Sequence, residues 1–360
     1  MIVRSIDVGY GFTKYIKNDD TASGIPEHCS FPSVVVPLHT HEVKHQNTDI
    51  FLNNHNVYTV PYGNLHALVG PDIQLNVKTL DQMRTNLDNF STSHRYHALI
   101  SGAIQDMNID KIDVLALGLP VDIYKNLKDT LISLFTGNIN VGINNTISIN
   151  KVLVFPQPLG GLASTNHKPS NTTLLIDPGY NTLDWLVSKN FKINKQKSGS
   201  CKGGMSYVID AIATLHREVT NDPLPYPTQI ENAIIDHKKL LLVKNAPTIQ
   251  NICVTDYYPH VAPIVDEFLS LIEVSIGDIS NIDRILLVGG GSKFYKGFIE
   301  QRFPQLSVKT VKDAEFSNVK GFQLLANRYA DDSESNLPTT ELKQKINSQV
   351  SDAKKPLATT

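Results

Sequence analysis

Ile6-Asp7-Val8-Gly9-Tyr10-Gly11-Phe12-Thr13-Lys14-Tyr15 and Ile176-Asp177-Pro178-Gly179-Tyr180-Asn181-Thr182-Leu183-Asp184-Trp185 are two copies of one pattern in a single chain. Each follows a short apolar run, Ile2-Val3 in the first copy and Leu174-Leu175-Ile176 in the second. Each then places an aspartate at a strand end, a tight Gly-x-Gly or Gly-x-Asn turn, and a second extended segment carrying Thr13 or Thr182. Backbone N–H groups at such turns donate to phosphate oxygens, and glycine lets the backbone approach closely. Two glycine-cornered hairpins, each with one carboxylate, can therefore close on a triphosphate from both sides. One copy alone is a weak signal; two copies, each on a hydrophobic strand, are a strong one.

The gross numbers allow this reading. With 360 residues, 41% of them hydrophobic, the chain can bury two cores of ordinary domain size. The net charge of −2 and the lack of a long Lys/Arg stripe argue against direct nucleic-acid contact. Cys29, Cys201 and Cys253 are odd in number, far apart and outside any CxxC pair. They read as buried thiols of a reducing cytoplasm. The chain enters a strand without a charged-then-apolar leader, and no run approaches 18 apolar residues, so a cytoplasmic protein without a membrane span is expected.

Strand-like runs are expected at 112–119, 152–155, 172–177, 184–187 and 284–288. Helical stripes lie between them: Tyr96, Leu99, Ile100, Ala103, Ile104 and Met107; Met205, Val208, Ile209, Ile212 and Leu215; Val261, Ile264, Val265, Phe268 and Ile272. Strands alternating with helices, together with the duplicated hairpin, give an α/β protein of two related halves. Residues 30–90, rich in Asn, His and Thr, read as a subdomain inserted in the first half. The first half is taken as 1–150, the second as 151–318, with a helix at 319–330 returning to the first. From Asp331 onward no aromatic residue occurs, and 331–360 reads as a solvated tail, although Leu342, Ile346 and Val350 fall at helical spacing.

Three further segments complete a site. Val114 to Tyr124 is a buried strand ending in Gly118-Leu119-Pro120, and Phe155 to Ser164 is a strand running into a glycine-containing helix start. Ile285 to Phe303 is a strand, the turn Gly289-Gly290-Gly291 and a helix. Such a turn permits close approach by a flat ligand such as adenine with its ribose.

In this order the segments resemble the actin-like ATPase superfamily: phosphate hairpin, connecting strand, second phosphate hairpin, adenosine loop and second connecting helix, here Asn318-Val319-Lys320-Gly321-Phe322 onward. Within it the opening, followed by Phe31-Pro32-Ser33-Val34-Val35, is most similar to the ParM/StbA plasmid-segregation family. The resemblance implies an actin-like fold, two related α/β domains (a ribonuclease H-like duplication) with a nucleotide cleft between them. It implies that Asp7 and Asp177 face each other and hold Mg2+, largely through water. Two carboxylates at roughly 6 Å and an effective dielectric of about 20 repel by about 3 kcal/mol, which a divalent cation reverses. Lys14 would reach the phosphates as a point charge. Gly9, Gly11, Gly179, Asn181 and Thr182 would donate hydrogen bonds to phosphate oxygens, with Tyr10, Phe12, Thr13 and Tyr180 beside them; Asn181 stands where relatives have a glycine, because asparagine tolerates positive φ.

Gln157 would orient the attacking water through its amide, without accepting its proton. The loop 285–300 would bring Gly289, Gly290, Gly291 and Lys293 to the nucleotide. Gly203 and Gly204, opening a helix with Lys202, Met205 and Ser206, and a helix around 234–242 with Lys238 and Lys239 would meet the base. Lys192, Lys195 and Lys197 read as a solvated hairpin face.

The expected function is an ATPase, or GTPase, that polymerises with itself and disassembles on slow hydrolysis, moving DNA through a DNA-bound adaptor protein. A metabolic sugar or acid kinase on the same superfold is the rival, but no catalytic aspartate for a second substrate is evident between Gly118 and Gln157. A heat-shock chaperone would need a peptide-binding domain after Phe322, and a membrane-attached relative would need a basic amphipathic anchor.

Overall fold

The duplicated pattern folds into two sheets with one plan. The computed structural model describes residues 1–19, 26–38, 56–73, 89–165, 171–220, 227–235, 240–243 and 250–334. The first sheet contains β1 (Val3–Val8), β2 (Phe12–Asn18), β3 (Glu27–Pro32), β7 (Lys111–Leu119), β8 (Gly137–Gly142) and β9 (Asn145–Pro156), in the order β3-β2-β1-β7-β9-β8. The second contains β10 (Thr173–Pro178), β11 (Thr182–Lys189), β12 (Lys192–Lys202), β15 (Arg284–Leu287) and β16 (Ser307–Thr310), in the order β12-β11-β10-β15-β16. In each, three antiparallel strands are followed by two parallel ones, and the first sheet adds β8 at its edge. β1 and β10 are buried along their whole length because both faces are covered.

The helical stripes read from the sequence become core-facing helices. α1 (His94–Met107) starts at Ser93, whose hydroxyl accepts from the Tyr96 amide, and ends at Asn108 in left-handed backbone. Its stripe is buried against the first sheet. α2 (Val121–Phe135) follows β7. α4 (Met205–Thr220), α5 (Pro227–Ile235), α6 (Tyr258–Ile276) and α7 (Ser292–Arg302) pack around the second core. Among the described residues, no helix is long and apolar enough to cross a membrane.

Two helices exchange sheets. α3 (Gln157–Ala163) continues from β9, yet Leu162 packs with Leu175, Leu186, Leu286 and Val288 of the second half. α8 (Ser317–Glu334) leaves the second half, yet Phe322, Ala326 and Ala330 pack on Val3, Val114 and Ala116 of the first. Burying a side chain such as Phe322 is worth about 1.5–3 kcal/mol, so each crossover is anchored in the opposite half. The helices touch backbone to backbone: a Cβ on Gly321 would lie 1.8 Å from the Gly160 carbonyl oxygen.

The segment expected as an insert contains a separate three-stranded sheet of β4 (Val36–Leu38), β5 (Tyr58–Tyr62) and β6 (Leu65–Val69). Val60, Ala67 and Val69 join it to the first core, and a polar cluster lies beside them. Asp106 on α1 accepts from the hydroxyls of Tyr58 and Tyr15, the latter at 2.7 Å, and pairs with Lys17 at 2.9 Å.

The structure alters several expectations. β9 runs unbroken through residue 150, its ladder to β7 continuing to Leu119↔Pro156, so residues 151–156 belong to the first sheet. α8 continues to Glu334 and takes in the start of the expected tail; the rest lies outside the described residues. The helix expected at 234–242 is instead the end of α5 and the strand β13 (Leu240–Val243), paired with β14 (Gln250–Cys253); Lys238 and Lys239 lie outside the described residues. The three cysteines are part-buried thiols rather than fully buried ones.

Candidate functional site

Asp7 on β1 has Lys14 directly across the β1–β2 pair, and Asp177 on β10 has Asp184 directly across the β10–β11 pair. Opposed residues project from the same face of a sheet. The first hairpin therefore presents a carboxylate with an ammonium, and the second presents two carboxylates. Asp7, Asp177 and Asp184 are only 5%, 6% and 2% exposed.

Burial is the leading reason that all three carboxyls are shifted upward. Asp7 is raised by burial, against the pull of Lys14 and of a hydrogen bond from Gln157. Asp177 is pushed up to about 6 by burial; an Asn318 hydrogen bond opposes this and the charge of Asp7 adds to it. Asp184 is pushed up to about 7 by burial and then by Asp177, while hydrogen bonds from Thr182 and Ser200 work the other way and Asp122 adds a smaller push. At all three carboxyls burial thus outweighs the hydrogen bonds and, at Asp7, the charge of Lys14.

The crossover helices supply the amides. Gln157, first residue of α3, donates from Nε2 to Asp7 Oδ1 at 2.8 Å. Asn318, on α8, donates from Nδ2 to Asp177 Oδ2 at 2.6 Å, and its Oδ1 accepts from the Gly161 amide at 2.9 Å.

The turns differ from expectation in detail. The amides of Gly9 and Gly179 donate to the carbonyls of Phe12 and Thr182, at 3.1 and 2.8 Å. They close the hairpins and are not available to a phosphate. Thr182 commits its hydroxyl to Asp184 Oδ2 at 2.7 Å. Asn181 needs no left-handed backbone, since positive φ outside glycine is confined, among the described residues, to Asn108, Asn144, Asn190, Phe191 and Asp313. Glycine is needed at Gly11 for space: a Cβ there would sit 2.9 Å from that of Tyr180, so the two turns meet across the cleft.

Two family models match successive parts of the chain: the N-terminal domain of actin-like proteins over residues 5–160, and the C-terminal domain of an archaeal MreB-like actin homologue over residues 175–301. The chain belongs to the actin-like proteins. Solved structures share the fold at low identity. The ADP complex of Ta0583, an archaeal actin homolog, superposes with a TM-score of 0.66 at 18% identity, covering 91% of this chain and 100% of that one. The apo ParM protein of psk41 gives 0.60 at 19%, covering 92% and 98%. The 15-stranded ParM filament from Clostridium botulinum gives 0.66 at 17%, covering 91% and 100%. No curated protein sequence matches the chain.

In this actin-like chain the glycine-rich segments are used unevenly. Gly289 has φ +78, and a Cβ there would lie 1.9 Å from Asp177 Oδ1, so it makes room for the carboxylate. Gly291 lies against the Pro178 carbonyl, and only Gly290 faces open space. Lys293 is exposed on the first turn of α7. The amides of Gly204, Met205 and Ser206 donate to the carbonyls of Asn181, Gly179 and Tyr180, so the start of α4 clamps the second turn rather than a ligand. Gly203 packs on the Phe268 ring. A cavity of about 310 Å³ opens between the halves, with Tyr10 and Asp122 on one side and Asn181, Thr182 and Lys202 on the other.

Asp184 and Asn318 are the site residues that the sequence reading missed. Asp184 could have been found, because it stands as far from Asp177 as Lys14 does from Asp7. Asn318 carries no such signal.

Proposed function

We propose that this chain binds a nucleoside triphosphate with Mg2+ between the two hairpins, hydrolyses it slowly, and assembles with itself into filaments. The convergence of Asp7 and Asp177 carries the reading: two buried carboxylates from equivalent strands, each raised by burial, with Asp7 adding to the rise at Asp177. The surrounding residues fit the ligand. Asn181 Oδ1 and Ser206 Oγ are buried beside the second turn without a hydrogen-bond partner, and orphaned polar atoms are costly unless a ligand or water meets them. Mg2+ held by Asp7 and Asp177 would neutralise carboxylate and phosphate charge together.

The chain's own groups then divide the work. Lys14 and the turn residues 10–12 and 180–182 hold the phosphates, and Gly290 leaves room for the nucleoside. Gln157, once released from Asp7, can orient a water through its amide but cannot take its proton. Hydrolysis is therefore slow, as suits a timer on an assembly. Assembly follows from the family resemblance and from the filament-forming neighbour. A DNA-bound adaptor, with no direct nucleic-acid contact and a cytoplasmic location, completes the plasmid-segregation reading.

Pelleting and negative-stain microscopy with Mg-ATP, Mg-GTP and a non-hydrolysable analogue test this. Reversible filaments that fade as nucleotide is consumed are expected. A chain that stays monomeric at tens of micromolar with the analogue, yet phosphorylates a small metabolite, would overturn it in favour of the kinase.

A further inference from the structure

Gln157 and Asn318 hold equivalent places in the duplicated plan. Each stands at the start of the helix that leaves the fifth strand of its half, β9 or β16, and each donates an amide to the aspartate of that half. Their surroundings differ. Gln157 is half-buried, while Asn318 is 5% exposed and also accepts from the Gly161 amide. One buried side chain thus joins α8, α3 and Asp177, positions separated by 141 and 157 residues along the chain.

The place of this junction matters. α3 and α8 are the crossovers, each anchored in the half opposite to the one it leaves. A change in the angle between the halves must shear one over the other, and packed helices accommodate closure by such sliding. At the crossing, Gly160 and Gly321 are in backbone contact, with no side chain to absorb movement. Asn318 lies within one turn of that contact, and its short side chain has little slack. Sliding α8 over α3 must carry the Asp177 carboxylate along or break the 2.6 Å bond.

We propose that Asn318 is a positioning residue that couples the crossing of α3 and α8 to the orientation of the Asp177 carboxylate, and hence to Mg2+ binding. Gln157 is the counterpart free to exchange Asp7 for water, whereas Asn318 is the fixed one. The inference rests on the nucleotide-and-Mg2+ reading above and specifies how the angle between the halves reaches that site.

The test measures ATP affinity in EDTA and across a Mg2+ titration, by calorimetry or a fluorescent ATP analogue. Asn318→Ala should leave affinity in EDTA within about twofold and raise the half-saturating Mg2+ about tenfold, the loss expected when a supporting hydrogen bond to a metal ligand is removed. Gly321→Ala, which touches neither Asp177 nor the turns, should raise it several-fold by forcing the helices apart. In the double variant the second change should add nothing, because the coupling runs through Asn318. If the alanine variant does not fold, Asn318→Ser, which keeps a short polar group near Gly161, takes its place with the same expectation.

A normal Mg2+ titration for the Asn318 variant, or additive effects in the double variant, would overturn the proposal. Wild-type protein that binds no ATP or GTP at all would instead overturn the underlying reading.

Discussion

Asp184 lies directly opposite Asp177, at the place where Lys14 lies opposite Asp7 in the other hairpin. The second hairpin therefore buries two carboxylates side by side, where the first sets a half-buried lysine opposite its carboxylate. The Val121 amide at the start of α2 in the first half reaches Asp184 Oδ1 at 3.4 Å, so the acidic pair also contacts the opposite half.

The pH dependence of the free protein follows. The Asp184 carboxyl titrates near 7 when folded, above its unfolded value, so folding favours its protonated form. Its contribution to stability is full below about pH 4 and is lost as pH rises through about 7. Asp177 acts in the same direction, with its loss centred near 6. Asp184→Asn should melt within a degree or two of wild type near pH 4 and several degrees above it at pH 8. Melting curves at half-unit pH intervals check this, and a difference independent of pH would contradict it.

Gln157→Ala should lower hydrolysis about 10²-fold, the scale expected when a reacting group loses its orientation. Binding rests on the hairpins, so nucleotide affinity should change less than threefold. Single-turnover hydrolysis beside equilibrium binding separates the two, and in filaments the variant should prolong the plateau of light scattering. Loss of nucleotide binding would show that the glutamine acts earlier than the chemical step.

Asp177→Ala should abolish the gain in nucleotide affinity that Mg2+ provides and reduce hydrolysis to background. In EDTA the same variant should bind the triphosphate at least as well as wild type, because a buried negative charge has been removed next to it. Titrations with and without Mg2+ give both numbers. Hydrolysis at the normal rate would rule out the two-hairpin site.

Asp106→Ala should destabilise the fold by about 3 kcal/mol, because Tyr15 and Lys17 lose their acceptor at a buried junction. Tyr58→Phe removes only one hydroxyl from the same carboxylate and should cost about 1 kcal/mol. Denaturant unfolding of the two variants measures the ratio.

The hairpins were legible in the sequence because their requirements are local. An apolar strand, a carboxylate at its end and a glycine turn are written within ten residues, and their repetition removes coincidence. The stripe on α1 was legible for the same reason, since helical periodicity is a short-range signal. The joins between distant segments were not legible. Nothing near Asn318 tells that its amide meets a residue 141 positions earlier. The backbone of Asn181 was misread because the glycine that relatives carry there suggested positive φ. What matters at Gly11 is the Tyr180 side chain arriving from the opposite half. The amides at the start of α4 were misassigned similarly, their acceptors being carbonyls of a turn that only the folded chain brings near.

Those three amides make the second turn and α4 a single lever. Gly204, Met205 and Ser206 grip the carbonyls at 179–181, so the turn cannot shift without tilting the helix. α4 has 16 residues, which makes it about 24 Å long. A tilt of about 5° at the turn then displaces its far end, at Thr220, by about 2 Å. A displacement of that size is comparable to the helix shifts that repack subunit contacts in switching assemblies. A change confined to a few atoms between the hairpins is in this way delivered to the outside of the second half, where another copy of the chain could feel it.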